Sequence, residues 1–459
     1  MTLSPNSPHA RDAQSVIHPF TNLAKHEKEG PLILEEGEGV YVTDTEGKRY
    51  IEGLAGLWCT SLGFDNERLV EAAASQMRKL PYYHAFFSRS NLPAIDLAEK
   101  LLQIAPVPMA RVWFANSGSE ANDHMVKFVW YYNNALGRPD KKKIIAREGG
   151  YHGIAISSGS LTGMPLMHQG FDLPIKNILH TGSPHYYRHG EDGESEEEFA
   201  SRRAAELEQL ILDEGPETVA AFVAEPVLGA QGAVPPPKTY FAKIQAVLRK
   251  YDVLMVADEV ITGFYRTANT FACQTYDIEP DILVIAKQLS SAYMPISAVL
   301  LNEKVYGPIR DFSAENMILA TGFTYSGHPV AAAVANETLR IYDEMDIGGH
   351  VRRVAPVALA RLAALADHPL VGEARGVGLI GAVELVKDKQ TKENFGIEVA
   401  SHCADACLAN GLIMRPCAGV SMAYCPPLII TEDELNQLFD RLAKALDDTL
   451  DYVRAENLM

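Results

Sequence analysis

The sequence predicts an α/β protein with a large domain, whose mostly parallel mixed sheet is flanked by helices, and a smaller α+β domain. Three observations carry this. From about residue 92 to 332, short apolar runs alternate with helical stretches, the pattern of strand–helix units around a parallel sheet. Beyond about residue 335 the style changes to long helical stretches that bracket short strands. Three of the apolar runs also end in an ionisable residue, at spacings that leave room for one crossover helix each. A length of 459 residues suits two or three units at roughly 150 residues each. The expected divisions are an N-terminal arm (1–34), a first part of the small domain (35–75), the large domain (76–335) and the rest of the small domain (336–459).

Each element has its own signal. The first 15 or so residues contain serine–proline steps and little apolar pattern, and read as an arm or a frayed terminus. Val40, Val42 and Tyr50 alternate around the turn Asp44 to Gly47 and predict a hairpin. Residues 67–79 predict a helix with Leu69, Val70, Ala73, Ala74 and Met77 on one face. The strand candidates of the large sheet are 112–115, 143–146, 219–224, 253–257, 282–286 and 298–301. They are almost continuously apolar, as strands covered on both faces are. Residues 190–198 are nearly all polar and predict a solvated loop entering a helix. Helices at 351–366 and 432–453 bracket strands at 379–385 and around Ala423.

Composition narrows the function. With 47% hydrophobic and 22% charged residues the chain is ordinary globular protein, which excludes disordered, collagen-like and disulfide-framework classes. A net charge of −18 disfavours binding to a nucleic-acid backbone, so small molecules and another protein surface are the expected partners. No run approaches the 18 or so apolar residues of a membrane span. The opening residues lack a basic stretch followed by an apolar one, so no secretion signal is expected. Six cysteines without a Cys-x-x-Cys pair predict reduced thiols and a cytoplasmic location.

The chemistry-bearing signal is the trio of strand ends: Glu225 after 221–224, Asp258 after 253–257, and Lys287 after 282–286. Parallel strands put these side chains along the carboxyl edge of the sheet, where open α/β sheets bind ligands. Any one strand end could simply mark where the sheet meets water. Both signs together suggest a nucleophilic or basic lysine in a concave site beside a carboxylate, the pair that pyridoxal phosphate requires. A phosphate cradle is available where residues 111–115 read as a strand and Ser117 and Glu120 have capping-box spacing, with Gly118 between them. Free amides at such a helix start attract anions, although an ordinary cap has the same sequence.

Other motifs read as structure. Gly376, Gly378 and Gly381 match the dinucleotide fingerprint, but a helical stretch is expected before them and a strand after, the reverse of what that fingerprint needs. His180, His185 and His189 are expected in one loop without the carboxylate or thiol company a metal requires. Lys141, Lys142 and Lys143 read as a solvated turn, and Cys403 and Cys407, one helical turn apart, as core.

Taken together the motifs resemble the class III (ω-) aminotransferases, pyridoxal phosphate enzymes of fold type I, over nearly the whole chain. The resemblance rests on residues 116–121 (Asn-Ser-Gly-Ser-Glu-Ala), Glu225-Pro226, Asp258-Glu259-Val260 with Gly263-Phe264 and Arg266-Thr267, Lys287 with 289–291, and residues 324–329 (Thr-Tyr-Ser-Gly-His-Pro). It implies that Lys287 holds pyridoxal 5'-phosphate covalently and shuttles a proton, and that Asp258 pairs with the pyridinium nitrogen. Ser117, Gly118 and Ser119 would bind phosphate, Tyr151 would stack on the ring and Val260 would cover its other face. Glu225 would sit on the ring-hydroxyl side and help orient Asp258 or its neighbours. Thr324 would reach the phosphate of a second subunit, giving a homodimer with shared sites, or a tetramer of such dimers.

The sequence departs from the family pattern at Gln288 and Ala292, at Tyr265 and Ala268, and at Ser297, positions where glycine is usual. These departures bear on loop geometry near the site. Within the family, two features resemble the amine–pyruvate transaminases. Arg415 would pair with an acceptor carboxylate and swing aside for an apolar donor. Trp58, Phe86, Tyr151 and Ala230 match that subgroup's pocket. The implied reaction is ping-pong transfer from a primary amine or ω-amino acid to pyruvate, S-selective. The alternatives are taurine–, β-alanine– or diamine–pyruvate aminotransferases, or an aminomutase-type isomerase.

Overall fold

The computed structural model describes residues 3–459. The chain opens with two short helices, Pro8–Ser15 and Leu23–Glu29, whose starts are capped by the side chains of Ser7 and Asn22. The expected frayed terminus is therefore helical, because each cap satisfies an amide that the helix start would leave free. Next come β1 (Leu34–Glu38), β2 (Tyr41–Asp44) and β3 (Arg49–Glu52), paired antiparallel in that order. The tight turn between β2 and β3 is fixed by Asp44, whose carboxylate accepts the N–H groups of Glu46 and Lys48 and the hydroxyl of Tyr50, at 2.9, 2.9 and 2.7 Å.

The large sheet has seven strands: β4 (Arg111–Ala115), β5 (Lys143–Arg147), β6 (Ile178–Thr181), β7 (Val219–Ala224), β8 (Leu254–Asp258), β9 (Ile282–Ile285) and β10 (Ser297–Leu301). Their order is β4-β10-β9-β8-β7-β5-β6, with β10 antiparallel to both neighbours and the β9-β8-β7-β5-β6 run parallel. Successive residues point to opposite faces and each face is buried. Ala221, Val223, Val256 and Val284 pack with Met125 and Val129 of the helix Gly118–Ala135. Phe222, Met255, Leu283 and Ile285 join the other core with Phe241 and Ile244 of the helix Tyr240–Lys250. Burial on both sides is why these strands read as unbroken apolar runs.

A third sheet is formed by β11 (Val371–Val377), β12 (Ile380–Leu385), β14 (Arg415–Cys417) and β15 (Ser421–Tyr424), in the order β11-β12-β15-β14 and antiparallel throughout. Between them β13 (Leu412–Ile413) pairs parallel with β3, Leu412 opposite Ile51, which ties the early strands to the C-terminal part of the chain. The final helix, Glu432–Ala455, starts at a reciprocal box in which Thr431 caps the Glu434 N–H and Glu434 accepts the Thr431 N–H. The helix Pro329–Glu344 runs through residue 335, where the sequence suggests a division.

Several expectations fail for physical reasons. β6 is a four-residue edge strand that includes His180, so that histidine is not in a loop with His185 and His189. His185 instead meets Glu373 at 2.9 Å, within a cluster where Arg188 and Arg375 also bind Glu384. The guanidinium groups supply the positive charge there. The glycines at 376, 378 and 381 form a hairpin between β11 and β12: a strand, not a helix, precedes them, and no dinucleotide site results. Lys141 is buried rather than solvated, and its ammonium donates to the carbonyls of Pro216 and Tyr251. The helix Glu67–Lys79 has its expected span, but of its apolar face only Leu69 is buried, while Val70 and Met77 are exposed.

Candidate active site

The ends of β7, β8 and β9 place Glu225, Asp258 and Lys287 around one cavity of about 310 Å³. Lys287 directly follows the buried Ala286 and adopts a left-handed backbone, φ +50°. Such a conformation costs an L-residue energy and persists where the surroundings fix it. Here the turn turns the lysine side chain into the cavity it lines. Burial there holds its ammonium below the ordinary lysine pKa, against the opposing pull of Cys59, Asp258 and Glu225. A lysine biased towards the neutral amine can act as nucleophile and base.

Asp258 is held by two residues that sequence patterns do not single out. Its Oδ2 accepts from Asn122 Nδ2 and lies against His152 Nδ1, both at 2.8 Å, and its Oδ1 accepts the Val260 N–H at 3.1 Å. All three side chains are buried. Oδ1 keeps a lone pair for one more donor from the cavity. Asn122 lies about one turn into the helix Gly118–Ala135 and also donates to the His152 carbonyl. Glu225 does not orient Asp258. Its two oxygens accept the N–H groups of Tyr151 and Gly229, at 2.9 and 3.0 Å, and burial pushes its carboxyl up from the usual range. Its structural task is to hold the loop that carries Tyr151 and the segment leading to Ala230.

The candidate anion cradle is the start of the helix Gly118–Ala135. Ser117 is its cap, Oγ accepting the Glu120 N–H at 3.2 Å, and the return bond from Glu120 goes to the Asn116 N–H rather than to Ser117. A Cβ at Gly118 would lie 3.2 Å from Val260 Cγ1, so a side chain there would crowd the cavity lining. Ser119 Oγ accepts the Ile154 N–H. The 18-residue helix directs its N-terminal dipole at this corner.

The outer wall is apolar. Leu57 and Trp58 come from the loop after β3, and Phe20 from the arm. Arg415, at the start of β14, lines the same cavity with its guanidinium 5.6 Å from the Phe20 ring. Ala230, Val260 and Tyr151 complete the expected lining, and burial raises the Tyr151 phenol pKa although Arg415 opposes it.

Two expected residues lie elsewhere. Phe86 lines a separate cleft of about 860 Å³ together with Gly322, and a Cβ on Gly322 would come within 3.0 Å of the Phe86 ring. Thr324 is beside it, its carbonyl accepting the Tyr82 hydroxyl at 2.8 Å. Phe86 is thus not part of the Lys287 cavity in its own chain. It travels with the Thr324 segment, a grouping that sequence distance hides.

Three of the departures from the family pattern, Tyr265, Ala268 and Ala292, sit at φ +71°, +74° and +64°. The left-handed turns that glycine would favour are retained without it. Gln288 is buried and donates to the Ile261 carbonyl at 2.7 Å, tying the lysine turn to the segment that follows Val260.

A nucleophilic lysine, an anchored carboxylate and a helix N-terminus in one cavity define a pyridoxal-type site. A family model for class III aminotransferases matches residues 23–446. A probable γ-aminobutyrate transaminase 3, mitochondrial, from Oryza sativa subsp. indica is 50% identical over 437 residues, covering 95% of this chain and 86% of that protein. A γ-aminobutyrate transaminase 1, mitochondrial, from Solanum lycopersicum is also 50% identical, covering 95% of this chain and 85% of that protein. The omega transaminase from Pseudomonas jessenii in complex with PMP superimposes with a TM-score of 0.96 at 52% identity, covering 97% of this chain and 99% of that one. The chain belongs to the class III aminotransferases: it is an aminotransferase with the fold of the type I pyridoxal phosphate enzymes, and its cofactor is pyridoxal 5'-phosphate.

The residues present fit that group. Asp258 Oδ1 has acceptor capacity left for a ring N–H, the helix start at Gly118 offers amides to a phosphate, and Lys287 reaches the space between them.

Proposed function

We propose that this chain is an ω-transaminase that moves an amino group from a primary amine or ω-amino acid to pyruvate, S-selective and acting as a homodimer with shared sites. The carrying observation is the lining of the cavity: Phe20, Leu57 and Trp58 form an apolar wall, and Arg415 stands at its edge. A donor with no carboxylate on its reacting carbon suits the wall, and a keto acid suits the guanidinium. Bound pyridoxal phosphate supplies the electron sink. The chain's own residues do the rest. Neutral Lys287 Nζ takes the proton from the donor's reacting carbon. Asp258, fixed by Asn122 and His152, keeps the ring nitrogen protonated. Arg415 pairs with the acceptor carboxylate in the second half-reaction. Because one site serves both halves in turn, the donor's product leaves before the acceptor enters.

The exposed apolar cleft that carries Phe86, with the exposed Thr324 two residues beyond its lining residue Gly322, supports the dimer, since a second copy could deliver both residues to the neighbouring cavity. Six free cysteines support a reducing compartment, and the cytoplasm is the proposed location. The plant relatives favour a second reading, in which γ-aminobutyrate is the preferred donor. An amine panel with pyruvate decides between them. Alanine formed from 1-arylalkylamines at rates equal to or above those with γ-aminobutyrate supports the amine reading of the donor; alanine formed from γ-aminobutyrate alone restricts the donor to the ω-amino acid class and establishes the second reading. Turnover without any keto acid would point to an isomerase instead.

A further inference from the structure

Behind the apolar wall lies a carboxyl group that the chemistry above does not use. Glu52 ends β3, is 4% exposed, and stands opposite Ile413 of β13, the strand that leads into Arg415. Its Oε1 accepts the Leu54 N–H at 2.9 Å and its Oε2 accepts the Gly56 N–H at 2.5 Å. No cation pairs with it among the described residues; its close partners are these two backbone amides. The ionisable groups on that side include the buried Arg266, Lys287, Cys59 of the loop itself and Cys425 after β15; Cys425 is close enough to feel Glu52 and the other three.

The loop it grips is strained and functional at once. Ala55, Gly56 and Trp58 have φ +49°, +67° and +66°. Leu57 and Trp58, on the far side of the same turn, line the cavity. Two non-glycine residues in left-handed backbone within four positions persist only where outside contacts fix them. Inside the loop, Trp58 N–H bonds to the Leu54 carbonyl and Cys59 N–H to the Ala55 carbonyl. The Glu52 carboxyl ties the first half of the loop to the sheet. A buried, unpaired carboxyl is expensive to keep, and here both of its oxygens are spent on this one turn.

We propose that Glu52 is a positioning residue for the donor pocket: by holding the Leu54 and Gly56 amides it sets the position of Leu57 and Trp58, and so which donors fit. The identity of those donors rests on the reading above. Glu52 touches neither cofactor nor substrate, so its removal should change donor selection more than the chemical step. A glutamine at this position keeps one good acceptor and puts an NH₂ where the other N–H needs an oxygen, and an aspartate is too short to reach both amides.

The test compares wild type with Glu52→Gln and Glu52→Asp, each loaded with cofactor, on donors graded in size, together with thermal unfolding of all three across pH. For Glu52→Gln, the KM of the largest accepted donor is expected to shift by about fivefold or more, the worth of one buried hydrogen bond. The kcat for the smallest donor should stay within about twofold, with Glu52→Asp in between. The unfolding curves give a readout independent of any donor. Burial pushes the Glu52 carboxyl up to about 7 from 4.5, so the folded wild type holds this proton more tightly than the unfolded chain. Its stability from this group is full below the unfolded value and is lost as pH rises through the folded one. The glutamine variant lacks that loss, so its melting temperature relative to wild type should climb between pH 5 and 7. Equal changes in KM and kcat for every donor, or none, would overturn the positioning role. If the wild type rejects simple amines, the amine reading fails, and Glu52 is then judged on ω-amino acids of graded length.

Discussion

Around Lys287, the polar groups find their partners within one chain: Asp258 on Asn122 and His152, Glu225 on the Tyr151 and Gly229 amides, Ser117 on its own helix. The cleft around Phe86 is built the other way. Phe87, Met317, Ile318 and Tyr325 border or neighbour it with 74%, 93%, 53% and 58% of their surface exposed, so its apolar side chains are left open in the single chain. The difference teaches that the reacting end of the site is held by intrachain packing, whereas Phe86 and Thr324 are presented outward, away from that packing.

The sharpest way to test the self-contained half is to remove the charge that its buried network supports. Asp258→Asn keeps the shape but not the negative charge, and should lower the transamination rate about 10²–10⁴-fold while the cofactor still binds. A rate within threefold of wild type would mean the carboxylate is not serving the ring nitrogen. The outward half predicts a smaller effect. If Thr324 reaches a neighbouring site, Thr324→Ala removes one charge-assisted hydrogen bond to phosphate, and cofactor retention on dialysis should weaken about tenfold. Unchanged retention would detach this segment from the site. The smallest effect concerns backbone alone. Ala292 holds φ +64°, which an alanine adopts at a cost of about 1–2 kcal/mol. Ala292→Gly relieves that cost but adds unfolded-state entropy of about 0.5–1 kcal/mol. A net stabilisation of about 0.5–1 kcal/mol in denaturant unfolding is expected, and a loss would show that the methyl group packs productively.

The same contrast explains what the sequence makes legible. Glu225, Asp258 and Lys287 can be read because strand, period and terminal charge are local signals, and parallel pairing of β7, β8 and β9 turns them into one edge. Asn122 and His152 cannot, because their contacts with Asp258 span 136 and 106 residues and nothing in their own neighbourhoods points there. β11 escapes notice for a different reason: Glu373 and Arg375 make it look polar, yet they are paired with His185 and Glu384 inside the protein. Phe86 matches the pocket pattern in sequence but lies outside its own chain's cavity, since a linear motif does not say which copy of the chain it serves.

Borohydride reduction of the cofactor-loaded protein, followed by peptide mapping, addresses the central assignment directly. A pyridoxyl label on the peptide that contains Lys287, and on no other, is the expected result. A label on a different lysine, or none at all, contradicts the assignment of Lys287 as the residue that holds the cofactor.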